Sequence, residues 1–158
     1  MGAELSKASF GAGCFWGVEA AFRRLAGVKS TQVGYMGGSK KDPTYEDVCT
    51  DTTGHAEVVE ITYDPQVVSY HDLLEVFWNN HNPTTLNRQG PDVGAQYRSA
   101  IFYHSPEQLV EARASREAEQ ARFPKPIVTQ IVPASEFWRA EEYHQQYLEK
   151  RGLSQCHI

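Results

Sequence analysis

The chain has 158 residues, of which 41% are hydrophobic and 22% charged, a balance that suits one compact domain over residues 1–158. Its 15 basic and 20 acidic residues give a formal net charge of −5, which argues against binding to nucleic acid or an anionic membrane. No apolar run approaches the roughly 18 residues of a membrane span, and the opening residues lack a secretory signal. We therefore expect a cytoplasmic protein, and a monomer, because no feature suggests an obligate interface.

The first half of the chain is predicted to form two strands around a helix, then a third strand and a second helix. SKASFGAG predicts a short strand that enters a glycine-rich turn, after which apolar residues recur at helical spacing as far as Gly27. VKSTQVGYMGG predicts the next strand, and HAEVVEITYDP alternates and stops at a proline, as a strand does. Ser69 is the predicted N-cap of the helix YHDLLEVFWNNH, which ends at Asn82-Pro83.

The second half continues with a strand, a helix, a strand and a last helix. YRSAIFYH predicts the strand, and Ser105-Pro106 starts a helix that runs to about Phe123. IVTQIV predicts a further strand, and AEEYHQQYLEKR a last helix closed by Gly152. The leading order βαββαβ predicts an α+β fold, a ferredoxin-like two-layer sandwich with a C-terminal helical and coil extension.

The cysteines and histidines give no sign of a metal site. Cys14, Cys49 and Cys156 are too few and too widely spaced for a disulfide scaffold or a paired zinc motif. The six histidines likewise show no pair at metal-binding spacing. We expect neither a metal nor a cofactor.

Cys14 stands in GAGCFWG, where a strand is predicted to give way to a helix. Unpaired N–H groups and the helix dipole favour an anion at that position, and cysteines so placed commonly ionise easily. The alternative is a small buried hydrophobic residue, which is the usual role of an unpaired cysteine. The flanking Gly13 and Gly17 and the position in a turn favour a nucleophile.

Glu57 is the second unusual residue. Strand alternation places it on the same face as Val59, Ile61 and Tyr63. Burial on an apolar face disfavours an ionised carboxylate, so Glu57 could be a protonated acid that donates a proton. The alternative is that Glu57, near the start of its strand, reaches solvent.

Several motifs occur in an order that resembles a known family. They are GCFWG, GYMGG, PTYEDVC, TGHAEVV, RQGPDVGAQYRSAIF and AEEYHQQYL. From about Phe10 to the C-terminus, the sequence resembles the A-class peptide methionine sulfoxide reductases. The combination of GCFWG with GHAEVV at this separation is highly specific.

The resemblance implies roles for the residues that match its motifs. Cys14 corresponds to the catalytic cysteine and Glu57 to the buried acid. Tyr45 and Tyr147 correspond to the tyrosines that hydrogen-bond the sulfoxide oxygen.

The resemblance also implies a substrate pocket and a recycling residue. Phe15 and Trp16 correspond to the pocket for the terminal methyl group of the substrate. Glu142 stands where many members carry an aspartate that grips the substrate backbone. Cys156 corresponds to the recycling cysteine, although Cys49 could serve instead.

The implied activity is thiol-dependent reduction of methionine-S-sulfoxide, free or in proteins, which would repair oxidised proteins. A sulfenic acid would form on Cys14 and condense with Cys156, and thioredoxin would reduce the resulting disulfide. This chemistry needs no metal or cofactor.

Two other functions remain open from the residues alone. Cys14 could act with a histidine such as His55 or His144 as an acyl-transferase or hydrolase. Alternatively, the domain could be non-catalytic and bind a methyl or thioether group in an aromatic pocket. The ferredoxin-like fold does not choose between these functions.

Overall fold

The computed structural model of the protein describes residues 5–50 and 52–150, so Cys156 lies outside the described residues. The strands are β1 (Ser6–Ala12), β2 (Val28–Met36), β3 (Ala56–Tyr63), β4 (Arg88–Gln89), β5 (Asp92–Val93), β6 (Ser99–Tyr103), β7 (Gln130–Pro133) and β8 (Trp138–Arg139). The helices are α1 (Phe15–Arg23), α2 (Tyr45–Cys49), α3 (Tyr70–Asn79), α4 (Pro106–Gln120) and α5 (Tyr147–Lys150), with 3₁₀ turns at Ala95–Tyr97 and Glu142–His144.

Six of these strands form one mixed sheet in the order β7-β6-β1-β3-β2-β8. Only β6 and β7 pair in parallel. The central order β6-β1-β3-β2, with α1 and α3 as the crossovers, is the ferredoxin-like arrangement, so the predicted α+β fold is confirmed. β7 and β8 extend the sheet at its two edges, and β4 and β5 form a separate hairpin.

The main core lies between the sheet and helices α1 and α3. Phe10 of β1 stacks on Phe22 of α1 at 5.3 Å and on Phe77 of α3 at 5.1 Å between ring centroids. All three side chains are fully buried. Burial of one phenylalanine contributes about 1.5–3 kcal/mol, so these contacts hold α1 firmly against the centre of the sheet. They thereby fix the place where α1 begins.

Side-chain caps define the starts of α2 and α3. Ser69 and Asp72 form a capping box at α3, as the Ser69 prediction anticipated. Thr44 and Asp47 form another at α2, a helix of five residues. Caps of this kind contribute about 1 kcal/mol each. Tyr45 is therefore the first residue of a helix, and its position is fixed.

The prediction of one continuous last helix is wrong. The chain forms a 3₁₀ turn at Glu142–His144, breaks, and resumes as α5 at Tyr147. At the break, Gln146 has a φ of +49°, which is a left-handed conformation. The side chains of Gln145 and Gln146 bind distant groups of the sheet and of α1, and these contacts hold the chain out of a helical path.

One further segment differs from expectation. The predicted strand IVTQIV begins only at Gln130, because the N–H of Val128 bonds instead to the carbonyl of Pro83. None of the helices in residues 5–50 and 52–150 is long and apolar enough to cross a membrane.

Candidate active site

Cys14 is the N-cap residue of α1, in the turn between β1 and the helix. The residue is partly exposed. The preceding Gly13 has a φ of +93°, and a Cβ added there would lie 2.8 Å from Cγ of Gln89. Only glycine accommodates this turn, which brings the thiol to the helix N-terminus, where the helix dipole favours a thiolate.

Glu57 is buried on the apolar face, with 1% of its surface exposed, so the alternative that it reaches solvent is wrong. The main-chain N–H of Phe15 donates to Oε1 at 3.3 Å, and Nε2 of Gln96 donates to Oε2 at 2.8 Å. Phe15 is the first residue of α1 and directly follows Cys14. The same helix N-terminus therefore serves both the thiol and the carboxyl group.

The phenols of Tyr45 and Tyr97 lie in the electrostatic field of Glu57. Burial raises the pKa of Tyr45 well above its usual range, and the charges of Glu57 and Cys49 add to this. Burial likewise raises the pKa of Tyr97, and the nearby acids, among them Glu57 and Cys14, raise it further. Both hydroxyl groups consequently stay protonated at physiological pH and can donate hydrogen bonds.

An aromatic wall stands beside the thiol. Phe15 is fully buried, and its ring lies 6.5 Å from Tyr45 and 5.2 Å from His144 between centroids. Trp16 is half-buried and stacks on Tyr147 at 3.7 Å with an interplanar angle of 6°. The Trp16 indole N–H donates to Nδ1 of His144 at 2.9 Å. These contacts hold an apolar surface next to Cys14.

Glu141 ties the C-terminal segment to the site. Its carboxylate accepts the N–H of Tyr45 at 2.9 Å and the hydroxyl of Tyr35 at 3.0 Å. Burial alone would raise the pKa of Glu141, but these hydrogen bonds outweigh it and hold the pKa below its usual range. An ionised Glu141 therefore fixes the start of α2 and, with it, Tyr45.

Gln145 and Gln146 attach the same segment to the sheet and to α1. The Gln145 side chain accepts the N–H of Val33 at 2.9 Å and donates to its carbonyl at 2.8 Å. Gln146 donates from both its main chain and its side chain to the buried carboxylate of Glu19 in α1. The segment that carries His144 and Tyr147 is thus fixed to both the sheet and the helix.

The two histidines considered as general bases are occupied. Nδ1 of His55 accepts the N–H of Gly38 at 3.0 Å, and its Nε2 bonds to the carbonyl of Lys40 at 2.7 Å. Nδ1 of His144 accepts the Trp16 indole, so in the neutral ring Nε2 carries the hydrogen. Neither imidazole offers an unoccupied basic nitrogen, which disfavours a hydrolase mechanism.

The structure brings most of the predicted residues together. Cys14, Phe15, Trp16, Tyr45 and Glu57 cluster around the start of α1. Cys49 is the last residue of α2. Its sulfur is 3.7 Å from Nε2 of Gln96, which also donates to Glu57.

The other predicted residues lie elsewhere or outside the description. Tyr147 lies behind Trp16, where its ring covers one face of the indole. Glu142 is exposed and pairs with Arg139 at 2.8 Å and with Lys150 at 3.6 Å. Cys156 is outside the described residues.

Sequence reasoning did not identify three residues of the site, Gln96, Tyr97 and Glu141. His144 was considered only as a general base, and not as the acceptor of the Trp16 indole N–H. Gln96 and Tyr97 lie in RQGPDVGAQYRSAIF, and Glu141 and His144 lie in AEEYHQQYL, both of which carry the resemblance. Those motifs were the available signal, although nothing in the local pattern showed which of their residues lie at the site.

The fold and the site define an α+β protein of ferredoxin-like topology with a thiol and a buried carboxyl group at one helix N-terminus. The chain belongs to the peptide methionine sulfoxide reductase family, because the model of that family matches residues 6–158. The resemblance found in the motifs is thereby confirmed.

Individual relatives agree with this assignment. The chain is 64% identical over 156 residues to the peptide methionine sulfoxide reductase MsrA of Acidobacterium capsulatum, covering 98% of this chain and 100% of that one. It resembles the crystal structure of reduced Mxr1 from Saccharomyces cerevisiae with a TM-score of 0.90 and 39% identity, over 94% of this chain and 87% of that one. Mxr1 in complex with Trx2 matches with a TM-score of 0.66 and 25% identity, over 93% and 89% of the two chains.

Proposed function

We propose that the protein reduces methionine-S-sulfoxide, free or in proteins, with Cys14 as the nucleophile and Glu57 as the acid. The observation that carries this proposal is the shared helix N-terminus, where Phe15 donates to Glu57 one residue after the thiol. Membership of the peptide methionine sulfoxide reductase family supports it independently.

The reaction needs strong donors to the sulfoxide oxygen. A sulfoxide sulfur is a poor electrophile, because attack on it leaves negative charge on the oxygen. Both oxygens of Glu57 accept a hydrogen bond, at 2.8 Å from Gln96 on Oε2 and at 3.3 Å from Phe15 on Oε1. We place the acidic proton on Oε1, the oxygen with the longer bond. That proton and the phenols of Tyr45 and Tyr97 would together stabilise the oxygen.

In the proposed step, oxygen passes from the substrate sulfur to Cys14, and two electrons pass from Cys14 to the substrate. The Cys14 thiolate attacks the sulfoxide sulfur while Glu57 protonates the oxygen. In the adduct, the new bond between Sγ of Cys14 and the substrate sulfur and the sulfur–oxygen bond then both break. Methionine leaves as the thioether with an electron pair on its sulfur, and the hydroxyl group bonds to Sγ of Cys14 as a sulfenic acid. Cys14 is oxidised by two electrons and the substrate is reduced by two.

Phe15 and Trp16 are proposed to hold the methyl group on the substrate sulfur. A pocket that fits one methyl group discriminates by about 1–3 kcal/mol. With the oxygen held by the acid and the phenols, only one configuration at sulfur presents its lone pair correctly to the site. The site therefore selects one epimer, which we propose to be the S epimer.

The second tyrosine of the site is proposed to be Tyr97, because its phenol lies in the field of both Glu57 and Cys14. The contact of Tyr147 with the sulfoxide oxygen stays a prediction, beside its stacking on Trp16. The proposed grip of Glu142 on the substrate backbone likewise stays a prediction, and its exposure is compatible with an extended peptide.

Recycling is proposed to run through Cys156, whose thiol would condense with the sulfenic acid and release water. Thioredoxin would then reduce the Cys14–Cys156 disulfide, and the complex of Mxr1 with Trx2 supports a reductant of this kind. A cytoplasmic location, where such dithiols are kept reduced, suits this cycle. Cys49 is the alternative resolving residue.

The test is intact-mass analysis of the reduced protein after mixing with the S or the R epimer of methionine sulfoxide. We expect the S epimer alone to remove two hydrogens, with the new bond mapped to Cys14 and Cys156. Cys156→Ser should form one equivalent of methionine and then stop. An unchanged mass on Cys14 would contradict the proposal, and a Cys14–Cys49 bond would reassign the recycling residue.

A further inference from the structure

Trp16 is held at its edge and on one face by the C-terminal segment. His144 accepts the indole N–H at 2.9 Å, and Tyr147 covers one face of the ring at 3.7 Å. We propose that His144 is a positioning residue that fixes the plane of Trp16 and so sets the preference of the site for a methyl group over larger alkyl groups on the sulfoxide. This inference rests on the proposed function.

The hydrogen bond requires one protonation state of His144. A ring nitrogen accepts an N–H only when it carries no hydrogen, so Nδ1 must be bare and Nε2 protonated. Burial lowers the pKa of His144, while the charge of Glu141 acts in the opposite direction. The imidazole is therefore neutral at physiological pH, and the acceptor is available to Trp16.

Packing alone does not explain a histidine at this position. The side chain is fully buried, and its Nε2 has no hydrogen-bond partner among residues 5–50 and 52–150. The ring lies between Tyr45 at 4.4 Å and Tyr143 at 4.0 Å, measured between centroids. A phenylalanine would fill this aromatic space without a buried unpaired donor. The contact that only the imidazole supplies is the bond to Trp16.

The backbone around His144 gives the acceptor a fixed position. The N–H of His144 bonds to the carbonyl of Glu141 at 2.9 Å and closes the 3₁₀ turn. The next residue, Gln145, is bonded to both main-chain groups of Val33 in β2. The sheet therefore fixes the position of Nδ1 of His144. The hydrogen bond to Nδ1 in turn fixes the position of the Trp16 indole.

The consequence for specificity follows from the two contacts on Trp16. Tyr147 covers one face of the indole, so the substrate methyl group must contact the other face or an edge. Stacking alone lets one ring slide or rotate in its plane against the other. Without the bond to His144, the indole can shift away from Cys14, and the pocket then accepts a larger group.

The experiment compares His144→Phe with His144→Asn. Phenylalanine keeps the ring volume but has no acceptor, whereas Oδ1 of asparagine lies where Nδ1 lies in histidine. The substrates are methionine-S-sulfoxide and ethionine-S-sulfoxide, followed in single turnovers at Cys14. One neutral hydrogen bond corresponds to about a 2–10-fold change.

For His144→Phe we expect the KM for the methyl substrate to rise within that range, with a saturating rate close to that of the wild type. The preference for methyl over ethyl should fall by a similar factor, and His144→Asn should restore both quantities. His144→Leu serves as a second acceptor-free variant if His144→Phe does not fold.

Ser115→Ala is the matched control, because Ser115 accepts the indole N–H of Trp78 at 2.7 Å through the same kind of bond. We expect it to leave KM and the methyl preference unchanged. The indole N–H resonance of Trp16 should move in His144→Phe and return in His144→Asn, whereas only the resonance of Trp78 should move in Ser115→Ala.

Two outcomes would overturn the inference. One is a folded His144→Phe with wild-type KM and methyl preference. The other is a folded His144→Asn that restores the Trp16 resonance but neither kinetic quantity. If the wild type itself fails to reduce any sulfoxide, the proposed function fails instead, and this result is distinguishable from either.

Discussion

The main-chain N–H of Phe15 reaches across to the carboxyl group of Glu57, 42 residues later in the chain, at 3.3 Å. This bond joins the first turn of α1 to β3, and it sets the distance between the acid and the thiol of the preceding residue. The sheet fixes the position of Glu57, because Glu57 pairs with Tyr35 in the register of β2 and β3. The acid and the nucleophile are therefore positioned by the same two elements.

Replacement of Glu57 by glutamine should abolish proton transfer and leave the shape of the site intact. Glutamine can still donate a hydrogen bond, but it has no acidic proton for the leaving oxygen. We expect the single-turnover rate of methionine formation to fall by about 100-fold or more.

Glu60→Gln is the control for this change. Glu60 lies on the same strand, on the opposite face, and pairs with Lys7 at 3.6 Å. Its replacement should leave the rate unchanged. Equal rates for Glu57→Gln and the wild type would remove Glu57 as the acid.

Tyr97→Phe and Tyr147→Phe separate the two tyrosines proposed for the sulfoxide oxygen. Loss of a donor to developing charge should slow the reduction step in Tyr97→Phe by about tenfold or more. Tyr147→Phe keeps the ring that stacks on Trp16, so its rate should stay near that of the wild type. Rapid-quench measurement of methionine provides both rates. A large loss in Tyr147→Phe with none in Tyr97→Phe would restore the role first predicted for Tyr147.

Glu141→Gln should loosen α2, because the ionised carboxylate holds the N–H of Tyr45 and the hydroxyl of Tyr35. Hydrogen bonds to a charged group stabilise more than neutral ones, and for a partly exposed group we expect a loss of about 1 kcal/mol in the free energy of unfolding. Chemical denaturation measures this loss, and the single-turnover rate should fall with it.

Glu142→Gln is the neighbouring comparison. Glu142 is exposed, and its pairs with Arg139 and Lys150 lie on the surface, so stability should be unaffected. A KM that rises for oxidised peptides but not for the free amino acid would support its predicted grip on the substrate backbone. An unchanged KM for both substrates would contradict that grip.

Acid should destabilise the protein through His81, which links α3 to β6. Its ring bonds to the carbonyl of Phe77 and to the hydroxyl of Ser99, each at 2.7 Å, and burial lowers its pKa from 6.5 to about 4. Above pH 6.5 both the folded and the unfolded states are neutral, and the stability is complete. Between pH 6.5 and 4 only the unfolded state binds the proton, so up to about 3 kcal/mol is lost as the pH falls.

Urea denaturation of His81→Gln at pH 7 and pH 5 tests this expectation. The variant should be less stable at pH 7 but should lose less stability between the two values than the wild type. His71→Gln removes an exposed histidine of α3 and should keep the wild-type pH dependence. Identical losses in His81→Gln and the wild type would assign the acid sensitivity to other groups.

The sequence predicts best those elements in which the spacing of apolar residues follows burial. β3 alternates along HAEVVEITY, and α3 carries a cap and an apolar face, so both were predicted with nearly correct ends. The same alternation placed Glu57 on the apolar face, although only the structure decided between burial and exposure to solvent. These local rules sufficed for the central sheet and for two of the site residues.

The remainder of the site depends on contacts between distant parts of the chain. The last helix failed as a prediction because Gln145 and Gln146 bind Val33 and Glu19, more than 100 residues away. Gln96 reaches the acid because the chain after the β4–β5 hairpin turns toward β3. The periodicity of apolar residues does not predict contacts between distant parts of the chain. Only the family motifs therefore pointed to these residues.

Gln145 also helps to cover the edge of β2 at Val33, together with the N–H of Ala140. Its amide occupies both main-chain groups of Val33, and β8 pairs with the next two residues of β2, Gly34 and Tyr35. This margin of the sheet therefore offers no template along residues 33–35 for an additional strand. Damaged, partly unfolded polypeptides expose extended segments that pair readily with such margins. The covered edge therefore removes one place at which a segment of this kind could add a strand to the sheet.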